Sequence, residues 1–442
     1  MSLTGSIDLG RGFVMQTPVG LASGTAGYGF ELAQLADLSS VGALFTKGTT
    51  PLARRGNEPP RVAETVGGML NSIGLQNPGV DVVAADYAPR FASLGLPVVI
   101  NVAGGTVDDY VHCVRRLEAA PNIAGIELNI SCPNIASGLD YGRDAGAAGR
   151  LVERVRSATV RHLMVKLSPN VTDIAAVARA VEQAGADSLS AVNTYVGMKI
   201  DRGSGRPVLG QGTGGLSGPA IHPLAIAAVA SVVSAVNIPV VGAGGVDSTE
   251  AALDFFDVGA AAVQVGTHNF VDPECAPRIA TALSSRVVQR TAVRVVLLDE
   301  EDRILLLHYK PPDTGEDFWC TPGGAVEGGE TLEEAAVREL AEETGHSLTG
   351  VGAAAWRRVH AFRIGDGRRF RQVEHYHVRR VTHFEPTPRS LGEFEAGAID
   401  GHRWWTVQEL SATAATLQPP DLPRRVAGLL HSGAAGPAGS VA

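Results

Sequence analysis

Residues 127–134 read ELNISCPN, which sets one thiol, Cys132, directly after a strand-like apolar run, between two asparagines and before a proline that stops the strand. A thiol so placed handles a proton rather than bridging or packing. Lys47, Asn101, Asn129, Lys166 and Asn193 stand at the ends of other apolar runs, so strands laid side by side would gather two ammonium groups and three amides around it. Amides both donate and accept, which suits the alternating N–H and C=O edge of a small heterocycle. A second set of chemical groups lies far along the chain. Thr331 and Glu334 form a capping box that opens a helix, Gly345 can end it, and Glu339, Glu342 and Glu343 fall at i, i+3 and i+4 on it. Three carboxylates on one helix face suit Mg²⁺ or Mn²⁺ bound together with substrate phosphates. A merely solvated acidic face is the bland alternative, and the glycine-rich entry to this helix speaks against it.

The strand-end residues need a scaffold that brings strand ends together. Eight short apolar runs alternate with helix-like stretches such as DIAAVARAVEQAG between residues 18 and 285: VGLAS, GALFTK, PVVINVAG, GIELNIS, HLMVKLS, SLSAVNT, IPVVGAGG and AAVQVGT. Eight strand–helix units predict a TIM (β/α)8 barrel, with a doubly wound open sheet as the alternative. Polar residues at the carboxyl ends of nearly every run favour the barrel, because that face carries its chemistry. Two connections, 48–97 and 195–218, are long enough to act as lids or substrate walls. A new pattern of two strands around a DEED turn then begins, so the expected domains are 1–286, 287–431 and a disordered tail, 432–442.

Composition narrows the class. The chain has 442 residues, 45% of them hydrophobic and 19% charged, with 53 glycines, which describes a globular protein of two domains. A net charge of -9 offers no footprint for a nucleic-acid backbone. No apolar run reaches membrane-spanning length and no signal-peptide pattern opens the chain, so a cytoplasmic location is expected. The four cysteines are scattered without a CxxC pair, which excludes an encoded iron–sulfur or zinc site. Cys113, Cys275 and Cys320 read as small buried hydrophobes.

Glycines in VGAGGV and VGT let backbone N–H groups approach a phosphate, and that of a flavin mononucleotide (FMN) would fit. They are no dinucleotide fingerprint, since Asp247 takes the place of the third glycine. Lys47 and Lys166 would neutralise an anionic reduced flavin. With MLNSIGLQNPG at 69–79, ELNISCPN, VKLSPNVTD, VNTYVGMKID, TGGLSGPAI, GAGGV and VGTHNF, the region up to about residue 285 resembles a class 1 dihydroorotate dehydrogenase, most like the 1B subgroup. The resemblance implies FMN-dependent oxidation of dihydroorotate to orotate, with Cys132 as general base and Lys47 as a further catalytic residue. It implies that Ser23, Lys47, Gly48, Asn101, Asn129, Lys166, Val192, Gly218, Gly244, Gly245, Gly266 and Thr267 hold the flavin. Lys47, Asn71, Ser72, Ile73, Gly74, Leu75, Asn129, Asn193 and Thr194 would surround the substrate, and Asn77, before Pro78 and Gly79, reads as a turn residue. The subgroup works with a separate subunit carrying FAD and an iron–sulfur cluster, so either such a partner or a different acceptor would reoxidise the flavin, and a homo-oligomer is expected.

Residues 322–346, PGGAVEGGETLEEAAVRELAEETGH, resemble a Nudix box. Gly324, Glu330, Arg338, Glu339, Glu342, Glu343 and Gly345 fit it, while His346 replaces an aliphatic residue and bears on local packing. The resemblance covers residues 290–430 and implies an α/β/α domain that hydrolyses a nucleoside diphosphate derivative. In that reading Glu339, Glu342 and Glu343 bind Mg²⁺ or Mn²⁺, Glu342 and Glu343 are catalytic, Arg338 orients the carboxylates by pairing with Glu330, and Glu393 or Glu395 assists. The chain is thus expected to be a bifunctional enzyme of pyrimidine metabolism. Two alternatives stay open: oxidation of another reduced pyrimidine, and a Nudix unit that only binds a nucleotide and regulates.

Overall fold

Short runs of Val, Ile, Leu and Ala that are apolar on both faces can only form strands covered on both faces, and eight of them do. In the computed structural model, which describes residues 6–131, 141–310, 317–363, 369–388 and 398–432, the strands Val19–Leu21, Ala43–Phe45, Val98–Val102, Gly125–Asn129, His162–Lys166, Ser188–Ala191, Val240–Ala243 and Ala262–Val265 pair in parallel. Each pairs with the next in sequence, and the eighth closes on the first through Val265 and Leu21. The closed barrel settles the choice against an open sheet. The chain divides into two compact units, Met1–Val288 and Gln289–Ala442.

Helices Val107–Glu118, Ala145–Arg156, Ile174–Gln183 and Thr249–Asp257 each start at a side-chain cap, from Thr106, Asp144, Asp173 and Ser248 respectively. Their apolar stripes pack on the strands, burying Cys113, Val152, Val181 and Phe255 among others. The amino-terminal end of the barrel is closed by the hairpin Ile7–Asp8 and Val14–Met15, whose Gly10 carbonyl meets His162 Nδ1 at 2.9 Å. At the opposite end the two long connections pair with each other. Tyr195–Gly197, Gly214–Ser217, Gly68–Asn71 and Val62–Thr65 form one antiparallel sheet, in that order. Gly215 is required there, because a Cβ would lie 2.1 Å from Thr194 Oγ1.

The C-terminal unit is built on a seven-stranded sheet ordered Trp356–Arg363, Arg369–Arg380, Val287–Leu298, Ile304–Tyr309, Phe318–Cys320 and Leu417–Gln418, with Ile399–Trp405 also paired to Ile304–Tyr309. Strand alternation divides its two cores. Val293, Val295 and Leu297 face Ala335, Ala336 and Leu340 of the helix Leu332–Thr344. Val296 and Leu298 join the core that holds Leu410, Leu422 and Val426, from helices Val407–Ala412 and Leu422–Ser432. The unit is therefore an α/β/α sandwich. Cys113, Cys275 and Cys320 are buried free thiols, and burial pushes their pKa values up, to about 12, 11 and 12. Among the described residues no helix is long and apolar enough to cross a membrane.

Candidate functional site

The carboxyl ends of the barrel strands bring the expected polar groups together. Lys166 ends the fifth strand with 5% exposure, and its ammonium donates to Ser23 Oγ, just past the first strand, at 3.0 Å. Lys47 follows the second strand, its amide on the Gly27 carbonyl at 2.9 Å. Burial lowers its pKa, and Glu31 works against that shift. Asn193 Nδ2 donates to Asn129 Oδ1 at 3.3 Å, which ties the fourth strand to the segment after the sixth. Asn193 Oδ1 accepts from the Thr194 amide at 2.9 Å, and the Val192 amide reaches the Ala243 carbonyl at 2.9 Å. Asn101 is fully buried, yet its Oδ1 has no partner. That oxygen would be 3.2 Å from a Cβ on Gly48, with Leu75 Cδ2 on the same side at 3.0 Å, so Gly48, Leu75 and Asn101 converge.

The antiparallel sheet contributes the remaining wall. Asn71 Nδ2 donates to the Gly215 carbonyl at 3.2 Å. Ser72 Oγ and the Ile73 carbonyl accept from the Asn57 side chain and backbone at 3.0 Å each. Gly74 and Leu75 follow at φ +76° and +55°. Asn77 is a turn residue: its Oδ1 accepts from the Thr50 and Gly79 amides and its Nδ2 donates to Thr50 Oγ1 and the Leu75 carbonyl. Cys132 and the rest of 132–140 lie outside the described residues.

Gly218, Gly244 and Gly245 adopt φ of +97°, +133° and +72°, and a Cβ at Gly245 would sit 2.7 Å from His222 Cβ and 3.0 Å from the Gly218 carbonyl. Gly266 follows the eighth strand, and the Thr267 hydroxyl donates to Ser217 Oγ at 2.7 Å. A buried ammonium, an orphaned buried amide oxygen and a glycine cradle that side chains would fill are what an FMN needs, and these residues fit one. Glu127, by contrast, escaped the reading of the sequence. It is fully buried and accepts from Asn101 Nδ2 at 2.6 Å, Ser190 Oγ at 2.6 Å and Gln264 Nε2 at 3.4 Å. Its signal was a lone acid within an apolar strand. Tyr110 and Asn170 were also missed; they hold the carbonyls of Asn129 and Thr194 at 2.7 and 2.9 Å.

In the C-terminal unit the capping box on helix Leu332–Thr344 and the left-handed cap at Gly345, φ +71°, are formed. Arg338 Nη1 bonds to Glu339 and to Glu342 at 3.0 Å each, while its Nε pairs with Glu330 at 2.7 Å. That pairing holds the Glu330 pKa down to about 2. Glu343 turns the other way. It is fully buried, accepting from the Tyr309 hydroxyl and, at 2.7 Å, from the Gly323 amide, and burial pushes its pKa up to about 8. Of the three expected ligands, two thus converge on one cationic nitrogen and the third is held inward. Among the described residues no three His, Cys, Asp or Glu side chains are grouped to hold a metal. The paired carboxylates Glu339 and Glu342 still fit a hard cation by their chemistry. A Cβ at Gly324 would lie 2.5 Å from the Glu339 carboxyl carbon, so a side chain there would displace that carboxylate. His346 stacks on Phe384, ring centroids 4.2 Å apart, which supplies the packing an aliphatic residue would give. Glu393 and Glu395 lie outside the described residues.

Comparison with known proteins divides at the same place in the chain. Residues 11–287 match the family model for dihydroorotate dehydrogenase, and residues 288–425 that for the NUDIX domain. Similar curated proteins include the "Dihydroorotate dehydrogenase B (NAD(+)), catalytic subunit" of Anoxybacillus flavithermus, 50% identical over 273 residues, which are 62% of this chain and 88% of the relative. The proteins of the same name from Geobacillus kaustophilus and Fusobacterium nucleatum are 50% and 47% identical, over 61% and 62% of this chain and 86% and 90% of their own lengths.

Proposed function

We infer the function from the premise that this chain belongs to the dihydroorotate dehydrogenase family, its barrel being of the class 1B kind and a Nudix domain following it. The barrel oxidises dihydroorotate to orotate. FMN, held at the strand ends, would supply the acceptor for a hydride from carbon 6 of the substrate. Cys132 takes the proton from carbon 5, which is acidified by the neighbouring carbonyl, and a free thiol titrating at about 8.5 needs only modest help to do so. Asn71, Asn129 and Asn193 hold the substrate ring by its amide edge. Lys47 and Lys166 would place positive charge beside a bound flavin, and the glycines around Gly245 would cradle its phosphate. The observation that carries this reading is the joining of Lys166 to Ser23 and of Asn193 to Asn129 at one mouth of a closed barrel.

The test is anaerobic addition of dihydroorotate to the purified yellow protein, which should bleach the flavin. Bound flavin that stays oxidised with dihydroorotate but is bleached by another reduced pyrimidine would move the substrate assignment to that compound. The similar proteins are named as catalytic subunits, and this supports a separate partner that carries electrons onward, with FAD and an iron–sulfur cluster, to NAD.

For the Nudix domain we propose hydrolysis of a nucleoside diphosphate derivative. Glu339 and Glu342, with Glu343 next to them on the helix, would hold Mg²⁺ or Mn²⁺, which clamps phosphate charge and activates water. The test is phosphate release from a panel of such compounds, compared between wild type and Glu342→Gln. The inward hold on Glu343 favours one second reading, a module that binds a nucleotide and regulates. Binding without turnover across the panel would select it.

A further inference from the structure

One layer below the mouth, a carboxylate sits where a barrel core is usually apolar. Glu127 lies beside Asn101 in register, on the neighbouring strand. It draws donors from three other strands: Asn101 Nδ2 at 2.6 Å, Ser190 Oγ at 2.6 Å and Gln264 Nε2 at 3.4 Å. A carboxylate that accepts at both oxygens leaves a facing amide one choice, to present its NH₂. The amide's other end, Asn101 Oδ1, then points away from Glu127, and it is one of the buried atoms left without a partner, on the side of Gly48 and Leu75. Burying such an oxygen unpaired is unfavourable, because it has given up its water without gaining a donor. A ligand N–H placed there would remove that cost.

We propose that Glu127 is a positioning residue for the cofactor: it fixes the Asn101 amide so that a carbonyl oxygen, an acceptor, faces the mouth and selects an N–H of the flavin ring edge over a C=O. This rests on the flavin reading above. A flavin edge carries both kinds of group, so the direction of this one amide decides how the ring is seated. Glutamine at position 127 would present one donor and one acceptor, and Asn101 could then turn over.

The test is FMN affinity and the absorption spectrum of bound flavin in the full-length chain, for wild type, Glu127→Gln and Asn101→Asp. Glu127→Gln should fold, by circular dichroism, yet bind FMN about tenfold more weakly and with a shifted flavin band, the loss expected for one misdirected hydrogen bond. Asn101→Asp sets two carboxylates face to face, so its affinity relative to wild type should rise as pH falls and one of them takes up a proton. Unchanged affinity and spectrum in folded Glu127→Gln would overturn the proposal, as would a ratio for Asn101→Asp that does not vary with pH. If Glu127→Gln does not fold, Asn101→Asp alone decides. Wild-type protein that takes up no FMN would instead sink the flavin reading and this role with it.

Discussion

The fifth barrel strand, His162–Lys166, ends on the lysine proposed to face the flavin and begins on a buried histidine, and both ends make measurable predictions. Lys166 is buried with its ammonium on Ser23, and a charged donor at a ligand's edge contributes about 1.5–3 kcal/mol. Lys166→Met is therefore expected to weaken FMN binding by about 10- to 100-fold, as read by flavin fluorescence. His162 is buried between the Gly10 carbonyl on Nδ1 and Ser188 Oγ on Nε2, an arrangement that suits the neutral ring. Burial holds its pKa down to about 4. Because the unfolded chain binds that proton more readily, the contribution is fully present above about pH 6.5 and is lost as pH falls toward 4, by up to about 3 kcal/mol. Urea unfolding of the barrel, followed by circular dichroism between pH 7 and 4, should show this slope, and His162→Gln should flatten it. Residues such as Lys47, Lys166 and Asn193 were legible because each closes an apolar run. Glu127 was not, because its meaning comes from Asn101, Ser190 and Gln264 on three other strands.

Helix Leu332–Thr344 begins at a reciprocal capping box, with the Glu334 amide on Thr331 Oγ1 at 3.2 Å and the Thr331 amide on Glu334 Oε2 at 2.8 Å. Thr331→Ala should cost about 1 kcal/mol. All four tryptophans, Trp319, Trp356, Trp404 and Trp405, belong to the C-terminal unit, so chemical denaturation followed by tryptophan fluorescence reads this change directly. In the barrel unit, Gly245→Ala combines a φ of +72° with a Cβ 2.7 Å from His222 Cβ, and loss of FMN uptake is the expected result. Elements of this kind were readable in advance, since capping boxes, glycine stops and apolar runs are local patterns. The sheet that joins Gly68–Asn71 to Gly214–Ser217 was not, because the two long connections carry no sign in their own residues of which partner each will find.

On the scale of the molecule, every residue assigned to the flavin site lies within Met1–Val288, and every residue of the acidic helix within Gln289–Ala442. Each unit also has its own core. The two activities should therefore separate by mutation: Glu342→Gln is expected to abolish phosphate release while leaving flavin bleaching by dihydroorotate unchanged, and Lys166→Met the reverse. A parallel loss of both activities in either variant would reject that independence. By itself the sequence determined the two-part architecture, the barrel, the Nudix helix and most of the polar groups at the strand ends, because periodicity and capping act within a few residues of chain. Tertiary structure alone decided that Glu127 sets the Asn101 amide, that the long connections close into one sheet and that Glu343 turns inward to Tyr309 and Gly323. Those outcomes depend on which distant groups meet in a space without water, where a buried polar atom must take whatever partner the fold provides.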